Sequence, residues 1–221
     1  MEKALIIGAS GGIGAAIAAR LTAQGVTVTA LSRRDDGLDV TDEDSVAAAL
    51  GALEPGFDLI LVATGALVIN GAEPEKTIRR VTARAMADQF ALNCIGPSLV
   101  LKHSLRLMPR DRRAVFAALS ARVGSIGDNA LGGWYSYRTA KAALNQMIHT
   151  GAIELSRSHR HALCVALHPG TVATRFTADY AATHDRVEPD QAAANLLGVI
   201  EGLTLAETGG FFDWQGKRVS W

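Results

Sequence analysis

Short, nearly continuous apolar runs alternate along the chain with longer stretches whose apolar positions recur at helical spacing. The first run, Ala4 to Ile7, passes through a glycine-rich turn into GIGAAIAAR, which predicts a strand, a tight turn and a helix. Gly25 stops that helix, and the β-branched cluster Val26 to Leu31 predicts a second strand. Gly37 to Val40 predicts a short third strand. Thr41, with Asp44 three residues on, resembles a capping box for a helix running to about Leu53. Phe57 to Ala63 is apolar almost throughout, as expected of a central strand covered on both faces, and it breaks at Thr64-Gly65. A long helical pattern from Thr82 to Met108 carries Gly96-Pro97 in its middle. Ala114 to Leu119 and His161 to His168 predict two more strands, and Gly209 to Asp213 a last one. Helical stretches containing Tyr137 and running from Asp190 to Leu203 separate them. Strand and helix therefore alternate, the pattern of an α/β protein with a parallel sheet.

Composition narrows the picture. The chain has 221 residues, 48% of them hydrophobic, enough for one well-buried core, so residues 1–221 are expected to form a single domain. Lys plus Arg number 22 and Asp plus Glu 22, which leaves none of the positive footprint that nucleic acid or an anionic membrane requires. No apolar run approaches the roughly 20 residues that span a bilayer, and the first strand begins too near Met1 for a signal peptide to precede it. A cytoplasmic location is the expectation. Cys94 and Cys164 stand far apart in apolar segments and are assigned to the core as reduced thiols. His159, His168 and His184 lack metal-ligand spacing, so no metal site is expected.

Several positions carry candidate chemistry. Gly8, Gly12 and Gly14, with Ser10 and Ile13 among them, stand where a chain turns sharply and exposes free N–H groups at a helix start, a seat for a dinucleotide's phosphates. Ordinary βα turns use glycine too. At the end of the second strand, where the adenosine ribose lies in such folds, Arg33 favours NADP over NAD; the bland alternative is a solvated loop arginine. Asp39 and Val40 suit contact with adenine, and Gly65 either a close pass of backbone beside the cofactor or an ordinary turn. Pro97 cannot bond the carbonyl of Asn93, so a kink is expected there, with a freed carbonyl and a polar side chain at one place; taken alone, a helix merely bent to follow the sheet accounts for it better. Tyr137 and Lys141, four apart, share one helix face, an arrangement that surface pairs on many helices also show by chance. A phenol ordinarily ionises near pH 10, so proton transfer near neutrality needs about 3–4 kcal/mol of help, which an ammonium one turn away and a nicotinamide cation are suited to supply. Pro169-Gly170, followed by Val172 and Thr174, offers donors at another strand end. Trp134, Tyr135, Phe176 and Tyr180 hint at an apolar pocket or at packing.

Taken together and in order, these residues resemble the short-chain dehydrogenase/reductase family. Gly8-Ala9-Ser10-Gly11-Gly12-Ile13-Gly14 is similar to its G-x-x-x-G-x-G motif, and Tyr137-Arg138-Thr139-Ala140-Lys141 to its Y-x-x-x-K motif. Asn93 matches its helix asparagine, Asp39-Val40 its adenine contact, and Pro169 to Thr174 its nicotinamide segment. GSIGDNALGGWYSYRTAKAALN and the ending GGFFDWQGKRVSW further resemble the C-factor (C-signal) subgroup, linked to intercellular signalling. The resemblance implies a Rossmann-type, doubly wound, mostly parallel seven-stranded sheet with helices on both faces. It also implies a homodimer or homotetramer built on the helices of Asn93 and Tyr137, and hydride transfer between NADP(H), or NAD(H), and a small carbonyl or alcohol. Tyr137 would be the acid/base and Lys141 its partner and ribose ligand. Ser120 would bond the carbonyl oxygen, and Asn93 would hold a water that relays protons. The chain departs from the family at two places: Val62-Ala63-Thr64-Gly65 keeps only the final glycine of the usual asparagine-containing sequence, and the second serine of the Ser-Ser pair falls on Ala121. Ser120 is preferred for the serine role and Ser125 is the fallback. The competing reading is a nucleotide-binding signalling protein with little turnover.

Overall fold

The computed structural model describes residues 1–174 and 186–221. Its framework is a parallel sheet of β1 (Lys3–Ile7), β2 (Thr27–Leu31), β3 (Leu59–Val62), β4 (Ala114–Leu119), β5 (Ala162–His168) and β6 (Phe211–Asp213), in the order β2-β1-β3-β4-β5-β6. The chain winds outward from β1 to β2 and then returns to place β3 on the other side of β1. The β1/β3 seam is therefore the point where strand order reverses and where open α/β sheets bind ligands.

Alternation along each strand splits the core in two. Leu5, Ile60, Phe116 and Cys164 face one layer, made by α3 (Glu43–Gly51), α5 (Gly96–Ser104) and α6 (Tyr135–Ser158). Ile6, Leu61, Ala117 and Val165 face the other, made by α1 (Gly12–Ala23) and α7 (Pro189–Gly202). This is the three-layer α/β/α arrangement. Because β3, β4 and nearly all of β5 are buried on both faces, they read in sequence as unbroken apolar runs.

Among the described residues the sheet has six strands, not seven. Gly37 to Val40 is not a strand: a one-turn helix, α2 (Arg33–Asp36), ends at Gly37 with φ +71, and the next amides are satisfied locally. Leu38 N–H bonds the Ser32 carbonyl, Asp39 N–H the Ser45 hydroxyl, and Thr41 N–H the Asp39 carboxylate, so these amides are spent locally and form no ladder with β2. The cap of α3 also falls one residue later than expected. Asp42 accepts from Asp44 N–H, while the Thr41 hydroxyl turns back to Asp39.

The Thr82 to Met108 pattern divides into α4 (Ala83–Phe90), a π-helical turn at Ala91–Ile95, and α5. Pro97 explains the break, since its missing N–H removes an α-helical bond and the wider turn absorbs the extra residue. At the opposite rim of the sheet, Asp58 accepts from Glu2 N–H at 2.6 Å and from Arg112 Nε at 3.0 Å, tying the amino end of β3 to the start of the chain. Among the described residues no helix is long and apolar enough to cross a membrane.

Candidate active site

All six strands point their carboxyl ends at one edge, and a cleft of about 420 Å³ opens there. Its walls bring together segments distant in sequence: Ser10 to Ile13 after β1, Ala63 to Gly65 after β3, Leu119 to Ala121 after β4, Tyr137 and Lys141 from α6, and His168 to Thr174 after β5.

The glycine turn is shaped by close approach. Gly8 has φ +89, and a Cβ there would lie 2.9 Å from the Ala63 carbonyl carbon. A Cβ on Gly14 would lie 2.4 Å from the Gly8 carbonyl oxygen, so the helix start and the strand end touch through backbone alone. Across the cleft, a Cβ on Gly12 would lie 2.7 Å from Thr174 Cγ2. α1 begins after Gly11 with no side-chain cap, leaving its first N–H groups for an anion.

α6 presents Tyr137 and Lys141 one turn apart, both buried, at 5% and 3% exposure. Lys141 Nζ donates to the Leu119 carbonyl at 2.9 Å and lies 5.8 Å from the centre of the Tyr137 ring. Burial pushes the Tyr137 phenol well above its ordinary value and the Lys141 ammonium down to about 7. Both shifts favour the neutral forms. Ionising the phenol in this setting calls for positive charge beyond the Lys141 ammonium to offset burial.

Asn93 is fully buried on the π-helical turn. Its side-chain amide donates to the Ala66 carbonyl at 2.9 Å and to Gln89 Oε1 at 2.7 Å, and its oxygen accepts from Ala66 N–H. The side chain thus clamps the segment after β3. A Cβ on Gly65 would lie 2.8 Å from Asn93 Oδ1 and 3.5 Å from Lys141 Nζ, so this backbone passes beside both.

Ser120 lies in the cleft wall, with its hydroxyl donating to Asn145 Oδ1 at 2.6 Å. Ser125 is buried, accepts from Asp128 N–H and is not part of the wall. Ala121, at the position of the family's second serine, lines the cleft. At the adenosine end the wall contains Arg34, which pairs with Asp35 at 2.7 Å, rather than Arg33. Asp39 and Val40 stand outside the wall: Thr41 occupies the Asp39 carboxylate, and Val40 packs where a Cβ on Gly96 would fall. Trp134 packs edge-on against Tyr137, and Phe176 and Tyr180 lie outside the described residues.

Two residues that sequence reasoning did not assign to the site also line this cleft. Thr64 Oγ1 and His168 Nδ1 are buried without a hydrogen-bond partner among the described residues. Period-two alternation puts His168 on the Cys164 face of β5, but no local pattern marks it as a cleft residue. Burial, with the positive charge of Arg122 nearby and partly offset by Asp213, pushes His168 down to about 4. A folded-state value below the ordinary 6.5 stabilises the fold fully above pH 6.5, and that stability is lost as pH falls through 4. The urea midpoint is expected to decline over this interval, and His168→Asn to flatten the decline, as paired unfolding curves at pH 7 and 4.5 would read. An equal decline in both proteins would contradict it.

The short chain dehydrogenase family matches residues 2–185, and the chain belongs to that family of oxidoreductases. It is 32% identical over 238 residues to 1-hydroxy-2-glutathionyl-2-methyl-3-butene dehydrogenase of Rhodococcus sp., with both chains covered in full. It is also 33% identical over 136 residues to the C-signal of Myxococcus xanthus, covering 62% of this chain and 78% of the relative. Among solved structures, an NADPH-bound carbonyl reductase from chicken fatty liver superposes with a TM-score of 0.84 at 25% identity, over 100% of this chain and 99% of the other. A short-chain dehydrogenase/reductase of Burkholderia multivorans with bound NADP reaches 0.81 at 25% identity, over 100% and 99%.

Proposed function

We propose that the chain catalyses reversible hydride transfer between NADP(H) and a carbonyl or secondary alcohol. The observation that carries this reading is that Tyr137 and Lys141 share a cleft wall with the backbone-lined turn after β1. A dinucleotide fits the residues present: the glycine turn, with no room for a Cβ at Gly8 or Gly14, presents only backbone to the cleft, and α1 begins there with no side-chain cap. NADP(H), when bound, supplies or accepts the hydride.

In this reading Gly8, Ser10, Gly12, Ile13 and Gly14 hold the pyrophosphate. Gly65 meets the ribose, and Pro169, Gly170, Val172 and Thr174 the nicotinamide; the Asp39-Val40 turn, outside the cleft wall, reaches adenine only if that ring extends past the wall, and then by its backbone. Tyr137 gives its proton to the carbonyl oxygen during reduction and takes one from the alcohol during oxidation. Lys141, near its own ionisation point at about 7, gains positive charge beside the phenol and offers an ammonium to the ribose. Ser120 bonds the substrate oxygen once its hydroxyl turns from Asn145, and the Asn93 carbonyl, on the widened helical turn, holds the relay water.

The relatives support NADP(H) as the cofactor, since two of the similar structures carry NADPH or NADP. Arg33 and its neighbour Arg34 are the cations available to a 2′-phosphate. The double change Arg33→Ala/Arg34→Ala is expected to weaken NADPH about 10- to 100-fold and NADH less than threefold, measured by fluorescence titration. An unchanged preference would remove both residues from the assignment.

The reading is tested with NADPH and a panel of aldehydes, ketones and diketones. The Rhodococcus relative's name specifies an alcohol carrying a glutathionyl group, so glutathione-conjugated alcohols with NADP complete the panel. A second reading, a nucleotide-binding signalling protein, is favoured by the commitment of the Ser120 hydroxyl to Asn145 and by the likeness to C-signal. Tight NADPH binding without turnover across the panel would favour it.

A further inference from the structure

We propose that Glu75 is a positioning residue for Tyr137, capping the catalytic helix from a segment that starts in the cofactor cleft. The proposal rests on the reading of Tyr137 as the acid/base.

α6 begins without the cap its sequence would ordinarily supply. Gly132, Gly133 and Trp134 have φ +66, +68 and +52, three consecutive residues in the left-handed region, and Trp134 offers no side-chain cap. For a residue with a Cβ this region is strained, and such a conformation persists only when its surroundings hold it. The first N–H groups of the helix also need acceptors.

Glu75 meets both needs. Its backbone carbonyl accepts from Trp134 N–H at 2.6 Å, one carboxylate oxygen accepts from Ser136 N–H at 3.1 Å, and the other accepts from the Ser136 hydroxyl. The residue is buried, at 6% exposure, and a negative charge at a helix N-terminus is favourable in itself. Ser136 immediately precedes Tyr137. The segment bearing Glu75 is secured at its other end, where Asn93 clamps Ala66 and Gln89 Nε2 donates to the Leu67 carbonyl at 2.8 Å. It begins at Thr64-Gly65 in the cleft wall. One stretch of chain therefore spans from the cofactor's side of the cleft to the residue before the phenol.

The test compares Glu75→Ala, Glu75→Gln and Ser136→Ala in the full chain, using NADPH and the fastest carbonyl of the panel. Glutamine can accept from Ser136 N–H and donate to the Ser136 oxygen, so it preserves the pin without the charge. Glu75→Ala is expected to lower kcat about 20- to 100-fold with the NADPH Kd within about twofold, since a misplacement of about 1 Å costs on this scale. Glu75→Gln is expected to stay within about threefold of the parent, and Ser136→Ala to lose about 3- to 10-fold at unchanged NADPH affinity. Amide exchange at residues 135–138 should rise in Glu75→Ala and return in Glu75→Gln, a readout that needs no turnover. The proposal is overturned if folded Glu75→Ala keeps kcat within twofold, or if Glu75→Gln is as impaired as Glu75→Ala. It is also overturned if the loss tracks NADPH affinity, or, should Glu75→Ala not fold, if Ser136→Ala leaves kcat unchanged. Full turnover by Tyr137→Phe would instead sink the acid/base reading and leave the exchange result to judge the cap.

Discussion

Tyr137→Phe is expected to lower kcat for carbonyl reduction about 1,000-fold while leaving NADPH affinity within about threefold, the range spanned by loss of a positioned general acid. The change deletes one oxygen and keeps the ring, which is buried against Trp134 at 6.3 Å and lies below the Lys141 ammonium. The ring's packing is thereby preserved, and the loss falls chiefly on the proton. Direction matters as well. Burial holds the phenol protonated, the form reduction uses, whereas alcohol oxidation needs the phenolate. Oxidation should therefore gain rate as pH rises and reduction should not. A variant retaining more than a tenth of the parent kcat would exclude Tyr137 as the proton donor.

The second large effect is expected at Gly14. An alanine there would bring its Cβ within 2.4 Å of one backbone atom and 3.0 Å of another, both in Gly8, and backbone at a strand end cannot step aside as a flexible side chain does. Relief requires moving α1 away from β1, which opens the phosphate seat. A stability loss of about 1–3 kcal/mol is expected, as for an overpacked core, with NADPH binding weakened at least about 30-fold. Gly51→Ala is the control: it lies at the end of α3 with nothing within 4 Å, and it should be neutral or slightly stabilising. Thermal melts and NADPH titration of the two variants, side by side, distinguish a local clash from a general intolerance of alanine. Equal NADPH affinities would refute the close-approach argument.

Much of the scaffold is legible in the sequence because buried parallel strands are apolar on both faces. Leu59 to Val62 and Ala114 to Leu119 announce themselves by composition alone. Gly37 to Val40 misled for the same reason: Leu38 and Val40 are buried, yet they enter the core from an irregular segment whose amides are spent on Ser32 and Ser45. Composition reports burial and does not report pairing. The site divides likewise. The spacing of Tyr137 and Lys141 is local and visible, as is the Pro97 break near Asn93. Glu75 and His168 depend on contacts across the fold, with Glu75 reaching Ser136 over 61 positions, and no periodicity within either segment encodes them. Arg34 rather than Arg33 lining the cleft is a matter of one step around the α2 turn, finer than a strand-end rule resolves.

The parallel arrangement keeps two regions of the molecule apart. The rim where Asp58 gathers the chain start and Arg112 contributes nothing to the cleft, and the strands between the two edges run about 10–23 Å. A fluorophore or a surface tether attached on that far side sits a full strand length from any bound nicotinamide, so the protein can be labelled or immobilised there with its working edge left facing solvent.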